Sequence, residues 1–215
     1  MMGSDLTKRI PCARCHRPGC TCICGLIRPI ANQVELLILQ DPQEATHAKN
    51  TAGLLHLSLI NSHVMPSNAN TPLDSGTLKE ALYSGGKCPL LLYPPIPEAK
   101  SLGLLEPATP PAALPPEQLR LVVLDATWRK SRKLIYLHPL LQSLPRVALE
   151  NPPPSLYLIR KADSENQLST LEASCYALQR LEQDRVDYSP LLDAMREFVA
   201  RQCAFRPAPN CVKND

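Results

Sequence analysis

A carboxylate followed by a cluster of cations is the part of this 215-residue sequence that most clearly suggests chemistry. The run "LRLVVLD" (119–125) is aliphatic until it ends on Asp125. Four basic residues follow closely: Arg129, Lys130, Arg132 and Lys133. An aspartate in this place either caps the helix that follows or does chemistry on a negatively charged substrate, for example as a general base. Both roles are open at this point.

The basic residues share one face if the segment after Asp125 is a helix, which turns about 100° per residue. On a helix that starts near Asp125, Trp128 and Ile135 fall on the opposite side, which is predicted to face the core. The cations and the helix N-terminus together suit a phosphate backbone. Trp128, the only tryptophan of the chain, is interpreted mainly as a packing residue, with stacking on a base as the alternative.

A second candidate site is the cysteine-rich run "CARCHRPGCTCIC" (12–24). Two close pairs of cysteines in a segment too short to form its own core are typical of a structural zinc site, in which the metal supplies the folding energy. The spacing alone leaves the ligand set open, because Cys20 could replace Cys22 or Cys24, and His16 is a weaker rival. A run of surface thiols without metal is the other interpretation.

Composition and missing motifs exclude several other classes of protein. Neither a G-x-G-x-x-G nor a P-loop motif is present, and the histidines lie apart in sequence, which argues against a second, catalytic metal. The net charge of +3 is too small to indicate a nucleic-acid partner by itself. No apolar run approaches the roughly 20 residues of a membrane span. Nine cysteines without a secretory signal predict the reducing cytoplasm.

Alternating strands and helices are expected to position these residues. Apolar runs predict strands at 33–40, 88–94, 119–125 and 146–150. Helices are predicted in the second part of 41–60, at 77–84, after Asp125, at 169–183 and at about 190–203. The proline-rich stretch from Pro94 to Pro116 is predicted to be a surface loop rather than a lid. This order predicts an α/β domain with a mainly parallel sheet and flanking helices, whose ligands bind where the strands end.

The motif "DATW" (125–128) resembles the D-x-T-W signature of the DTW-domain family. The likeness extends to "DPQEATHAKNTAGLL" (41–55), to "CPLLLYP" (88–94) and to most of 124–182, and it covers about residues 9–185. The cysteines match the family's C-x2-C-x6-C-x-C spacing, which implies Cys12, Cys15, Cys22 and Cys24 as the zinc ligands and leaves Cys20 as an extra. Two positions depart from the pattern: Asp41, where histidine is common, and Gly53, where a basic residue is frequent.

The resemblance implies a tRNA-uridine aminocarboxypropyltransferase with a fold related to the SPOUT methyltransferases, including a C-terminal, knot-like cofactor pocket. Such enzymes move the 3-amino-3-carboxypropyl group of S-adenosylmethionine to N3 of a tRNA uridine and release methylthioadenosine. Asp125 is then expected to be the general base, with Glu44 and Glu172 as second-choice acids and Glu172 more simply a capping-box partner of Ser169.

The strand-end loops are expected to bind the cofactor through Leu92, Tyr93, Pro94, Leu124, Thr127, Trp128, Leu168, Ser169 and Thr170. The tRNA phosphates are expected at Arg129, Lys130, Arg132, Lys133, Arg160 and Lys161.

The expected organisation is a zinc-binding segment at 1–29, a catalytic domain at 30–207 and a tail at 208–215. The expected partner is tRNA, with no membrane, no obligate protein partner and a monomeric state favoured. Three alternatives remain: an S-adenosylmethionine-dependent RNA methyltransferase, the same transfer to ribosomal RNA, and a non-enzymatic, zinc-containing RNA-binding module. The sequence does not identify the tRNA species or the uridine position.

Overall fold

Five parallel strands form the centre of the molecule. The computed structural model describes residues 10–71, 73–97, 99–111, 114–156 and 168–205. The strands are β1 (Glu35–Gln40), β2 (Ser62–Pro66), β3 (Cys88–Leu92), β4 (Leu119–Asp125) and β5 (Arg146–Val147). They lie in the order β2-β1-β4-β3-β5, and every pairing between them is parallel. The predicted α/β domain with a parallel sheet is confirmed.

Helices cover both faces of this sheet. The helices are α1 (Pro42–Ala45), α2 (Ala52–Ser58), α3 (Ser75–Tyr83), α4 (Trp128–Leu137), α5 (Pro139–Ser143), α6 (Thr170–Leu181) and α7 (Ser189–Phe205). Single 3-10 turns occur at Gly19–Thr21, Cys24–Leu26, Ser84–Gly86 and Pro116–Gln118. One core contains residues of α2, α6 and α7 together with the segment around Leu26. The other contains residues of α3, α4 and α5.

The central strand β4 explains the long aliphatic run in the sequence. Leu121 and Val123 contribute to one core, and Val122 contributes to the other. A parallel strand that is covered on both faces is aliphatic at nearly every position. Asp125 ends this strand and pairs in register with Gln40, the last residue of β1, so it lies at the carboxyl edge of the sheet as predicted.

Two details of α4 differ from the prediction. The helix begins at Trp128 rather than near Asp125, and its N-cap is Thr127, whose side chain accepts a hydrogen bond from the backbone N–H of Lys130. The interpretation of Asp125 as the cap is therefore wrong. Trp128 is 47% exposed and does not face the core, whereas Ile135 is buried as predicted. Helical side chains lean toward the N-terminus, which here directs the first residue of α4 toward the strand ends.

The other predicted elements are present with small differences, and the short helices α1 and α5 were not predicted. Strand β2 was not predicted because it is a short edge strand with three exposed residues and no apolar run, and β5 is shorter than predicted. The described part of the proline-rich stretch has no strand or α-helix, in agreement with a loop. None of the described helices has the length and apolar character to cross a membrane. The knot and the domain boundaries stay predictions; Arg160 and Lys161 lie outside the described residues.

Candidate functional site

A cavity of about 920 Å³ opens where the strands end. Its walls come from the residues that follow β3, β4 and β5, from the start of α6 and from the loop between α1 and α2. Asp125 lines it, and so do all nine residues that were predicted to bind a cofactor: Leu92, Tyr93, Pro94, Leu124, Thr127, Trp128, Leu168, Ser169 and Thr170. Residues that are far apart in sequence thus share one site, as expected for the carboxyl edge of a parallel sheet.

The carboxylate of Asp125 is buried and held by three donors. Its Oδ2 accepts hydrogen bonds from Gln40 Nε2 at 2.9 Å and from Asn50 Nδ2 at 2.7 Å. Its Oδ1 accepts one from Thr170 Oγ1 at 2.7 Å. A carboxylate has about four acceptor positions, so about one remains for a group in the cavity. Asp125 therefore has a fixed orientation that three other chain segments impose.

The two second-choice acids lie in different places. Glu44 lines the cavity. Glu172 lies outside the described cavity wall, is fully buried, and forms the predicted capping box with Ser169. It also accepts hydrogen bonds from Ser155 Oγ at 2.9 Å and from the N–H of Leu156 at 2.5 Å. Glu172 thus connects the start of α6 to the chain segment around residue 155, which is a structural role.

Lys130 is bonded within the protein instead of lying among exposed cations. Its Nζ donates to Asp41 Oδ1 and to Gln43 Oε1, both at 2.7 Å. Asp41 is 2% exposed, caps α1, and donates its backbone N–H to the carbonyl of Asp125. Asp41 is also one of the two departures from the family pattern. The Lys130–Asp41 ion pair fixes α4 against the end of β1, beside Asp125.

The rest of the basic face of α4 is exposed. Arg129, Arg132 and Lys133 all have exposed side chains, and Lys133 Nζ donates to Asn70 Oδ1 at 2.9 Å. Because α4 starts at the cavity wall, this face begins beside the cavity opening. Three of the four predicted cations of α4 therefore present positive charge to the solvent.

The ring of Trp128 packs against Tyr93, which in turn lies close to Ser131 and Arg146. Its ring meets that of Tyr93 edge-on, with centroids 5.5 Å apart and planes at 67°. The hydroxyl of Tyr93 lies 3.4 Å from Ser131 Oγ, and the Arg146 guanidinium lies 5.6 Å from the Tyr93 ring centroid. Burial raises the pKa of Tyr93 and lowers the pKa of Arg146. The exposed indole therefore packs against a fixed tyrosine ring at the edge of the cavity.

Sequence reasoning missed two of the three residues that hold Asp125. Gln40 reads as the polar end of a strand, and nothing in its local pattern marks it. Asn50 belongs to the Asn-Thr pair in the stretch that resembles the DTW family, which is the one signal that could have identified it. Both are selected by tertiary contacts across 85 and 75 residues of chain.

Four cysteines near the N-terminus form a group that fits a metal ion. The sulfurs of Cys12, Cys15, Cys22 and Cys24 all lie within 4.8 Å of one another. The Cys12–Cys24 and Cys15–Cys22 sulfurs are 3.5 and 3.6 Å apart. Disulfide sulfurs lie about 2 Å apart, whereas Zn–S bonds of about 2.3 Å in a tetrahedron separate sulfurs by about 3.8 Å. Cys20 lies outside this group, as the family spacing implies.

Hydrogen bonds favour the thiolate at Cys12 and Cys15, whose pKa values are lowered, whereas the pKa values of Cys22 and Cys24 are raised, that of Cys24 mainly by burial. Backbone hydrogen bonds at Cys15 and Arg14, with those of neighbouring thiols, lower the pKa of Cys12 to about 6. All four thiols are outside disulfides. The donor set, four soft sulfurs at tetrahedral spacing, suits a structural zinc ion.

Comparisons with known proteins find a matching family and several relatives of this chain. The model of the DTW domain matches residues 9–203. Among curated proteins, the chain is 26% identical to tRNA-uridine aminocarboxypropyltransferase 2 of Mus musculus, across 91% of this chain and 64% of the mouse protein. It is 27% identical to tRNA-uridine aminocarboxypropyltransferase A of Arabidopsis thaliana, across 96% of this chain and 87% of the plant protein. The match to the mouse protein thus spans slightly less than two thirds of that protein's length. No solved structure matches.

Proposed function

We propose that this chain, which belongs to the DTW-domain family, is a tRNA-uridine aminocarboxypropyltransferase. It would transfer the 3-amino-3-carboxypropyl group of S-adenosylmethionine to N3 of a tRNA uridine, giving 3-(3-amino-3-carboxypropyl)uridine and methylthioadenosine. The names of the relatives support the reaction class. The observation that carries the proposal is that Asp125 and the proposed cofactor wall line one and the same cavity at the carboxyl edge of the sheet.

Asp125 is proposed as the general base. Uridine N3 is a poor nucleophile until its proton leaves. The remaining acceptor position of Asp125 takes that proton, while N3 forms a bond to the Cγ of the methionine moiety. The Cγ–S bond breaks with its electron pair going to sulfur, which becomes neutral. General-base catalysis of this kind contributes about 10²–10⁴-fold. The fixed carboxylate, with three donors from Gln40, Asn50 and Thr170, supports this role because it needs no reorientation.

The cavity is large enough for two reactants. Small-molecule sites usually enclose about 300–1,000 Å³, and about 920 Å³ lies near the top of that range. The co-substrate is proposed to lie along the loops after β3 and β4 and the start of α6, with Trp128 at the edge where a flipped uridine would enter. Which carbon on sulfur faces N3 decides between aminocarboxypropyl and methyl transfer, so the shape of this wall sets the product.

The exposed cations of α4 are proposed to hold the tRNA backbone. Arg129, Arg132 and Lys133 contact phosphates and position the substrate without reading its sequence. Arg160 and Lys161 are also proposed to bind tRNA phosphates. Lys130 has a different part in this proposal, because its bonds to Asp41 and Gln43 keep α4 aligned with the end of β1. The four-cysteine group would hold Zn²⁺ and stabilise the N-terminal segment. The knot and the cytoplasmic location stay predictions.

A single reaction separates the proposed function from its alternatives. Purified, zinc-loaded protein is incubated with an unmodified tRNA transcript or a ribosomal RNA fragment and S-adenosylmethionine, and the digested nucleosides are analysed by mass spectrometry. Aminocarboxypropyluridine in tRNA, with an equal amount of methylthioadenosine, is expected. A methylated nucleoside with S-adenosylhomocysteine would instead show a methyltransferase. Product in ribosomal RNA alone would identify ribosomal RNA, not tRNA, as the substrate. A protein that binds RNA but not S-adenosylmethionine would be a non-enzymatic binding module.

A further inference from the structure

Arg17 lies in the segment that contains the four-cysteine group (residues 12–24), called here the metal-binding segment. Its side chain contacts the loop at 47–51, which carries Asn50. Its Nη1 donates to the carbonyl of Ala48 at 2.7 Å, and its Nη2 donates to the carbonyl of Asn50 at 2.6 Å. The guanidinium lies 5.3 Å from the ring centroid of Phe198, a buried residue of α7. The backbone of Arg17 is fixed as well, because its carbonyl accepts from the N–H of Cys12. The side chain thus joins the cysteine group, α7 and the loop at 47–51.

We propose that Arg17 is a positioning residue, which holds the 47–51 loop and, through Asn50, orients Asp125. Asn50 is 7% exposed and is held from both sides. Its carbonyl accepts from Arg17, and its side-chain Nδ2 donates to Asp125 Oδ2 at 2.7 Å. The connection from the metal-binding segment to the carboxylate therefore takes two hydrogen bonds. This inference rests on the proposed function, since Asp125 is the reacting group there.

Hydrogen bonds within the loop are local: the N–H of Lys49 donates to His47 Nδ1, and the N–H of Asn50 donates to the carbonyl of His47. His47 and Ala48 are exposed, and the stretch between α1 and α2 has turns but no regular structure. Exposed segments with few buried apolar contacts open at low free-energy cost. Two charge-assisted hydrogen bonds to carbonyls two residues apart are a large constraint on such a segment.

An arginine is required for this arrangement. Its planar fork has donors that reach two carbonyls at once, and its flat face packs on an aromatic ring. A lysine at the same place keeps the charge near Phe198 but offers a single point of donation. The metal-binding segment therefore contributes to the geometry of the active site, in addition to any RNA surface that it provides.

The test compares Arg17→Ala and Arg17→Lys with a matched control in the same segment. Arg28→Ala is the control because Arg28 Nη1 donates to the carbonyls of Gly25 and Ile27 and its Nη2 lies 4.0 Å from Glu197 Oε2 of α7, so these contacts involve the same segment and α7 but not the 47–51 loop. Each full-length protein is zinc-loaded and its metal content measured. Amide hydrogen exchange is then followed across 46–51. Faster exchange in both Arg17 variants, with exchange in Arg28→Ala like that of the wild type, is expected.

Steady-state kinetics distinguish this positioning role from a purely structural one. The kcat of Arg17→Ala should fall on the order of 10²-fold, as for a small displacement of a reacting group, while the KM for S-adenosylmethionine changes little. Combined with Asn50→Ala, Arg17→Ala should cause no further loss in kcat beyond about twofold, because both act through one hydrogen bond to Asp125.

Losses that multiply in the double variant, or wild-type kcat in Arg17→Ala, would overturn the inference. If Arg17→Ala fails to fold or loses zinc, Arg17→Lys decides in the same way. The outcome is separable from the proposed function. A wild-type protein that makes no aminocarboxypropyluridine refutes the function, whereas an active wild type with unaffected Arg17 variants and unchanged loop exchange refutes only the inference.

Discussion

Replacing Asp125 by asparagine separates catalysis from structure, because the chain contains a matched buried carboxylate. Glu182 is fully buried and accepts two N–H donors, from Gln33 at 2.7 Å and Val34 at 2.8 Å, on Oε1. Its Oε2 accepts the hydroxyl of Tyr188 at 2.9 Å. Asp125 has the same pattern of two N–H donors on one oxygen and one hydroxyl on the other. Glu182, however, bonds near the start of β1, at the opposite edge of the sheet from the cavity.

The expected cost in stability is similar for Asp125→Asn and Glu182→Gln. In each variant the new amide nitrogen can face the hydroxyl, which then accepts, and the amide oxygen keeps the two N–H donors. Three bonds to a charged acceptor, each worth about 1.5–3 kcal/mol, become neutral bonds worth about 0.5–1.5 kcal/mol. The difference is about 1 kcal/mol each, so about 3 kcal/mol in all. At about 2–4 °C per kcal/mol for a chain of this size, Tm falls by about 6–12 °C in both.

Activity should respond to only one of the two changes. Asp125→Asn removes the base and should lower kcat by about 10²–10⁴-fold, whereas Glu182→Gln should stay near the wild-type kcat. Scanning calorimetry gives both Tm values. Nucleoside mass spectrometry, at a temperature well below both Tm values, gives the reaction rates. An Asp125→Asn enzyme with more than one tenth of wild-type kcat would refute the general-base role and leave Asp125 as a structural tie. An equal loss in Glu182→Gln would show that the loss reflects stability.

Three further results are expected. Cys22→Ser should lose zinc and destabilise the N-terminal segment, while Cys20→Ser keeps one zinc per chain by metal analysis; zinc loss in Cys20→Ser would contradict the ligand set. The emission of Trp128, the only tryptophan, should change when S-adenosylmethionine binds, and unchanged emission at calorimetric saturation would remove Trp128 from the cofactor wall. Burial lowers the pKa of His56 and His138 below the ordinary 6.5. The unfolded chain therefore takes up protons first as pH falls below 6.5, and the free energy of unfolding should be smaller at about pH 5.5 than at about pH 7.5 in urea titrations; equal values would contradict this.

Much of the sheet and the position of the site could be predicted from local patterns. The aliphatic run of β4 reports burial on both faces, and Ser169 with Glu172 reports the start of α6. Because parallel strands place their carboxyl ends at one edge, these two elements already bring Asp125 close to Thr170. The two close pairs of cysteines also predict a metal site, but only the family's C-x2-C-x6-C-x-C spacing selects the four sulfurs that lie together.

The missing parts depend on contacts that no local pattern contains. The exposure of Trp128 follows from the two-residue turn between β4 and α4, which shifts the helix start and directs the indole to the cavity. Lys130 has the same helical spacing as its basic neighbours, and only the position of Asp41 at the end of β1 decides that it bonds inward. Strand β2 is a short edge strand with three exposed residues and a proline at its end, so its sequence lacks the apolar run of the central strands.

The place of β4 in the sheet has a consequence for how the molecule assembles. Among the described strands, β3 pairs only with β4 and β5, which both follow it in the chain. The partners of Asp125 lie 85, 75 and 45 residues away. Such long closures carry a large entropic cost and slow the folding of parallel sheets. During synthesis, β3 therefore has no neighbouring strand to pair with until residues 119–125 have been made. The arrival of β4 joins β3 to the β1–β2 pair and brings Asp125 to Gln40 and Asn50, whereas β5 and Thr170 are synthesised later, so the set of donors around Asp125 is complete only after the start of α6 has been made.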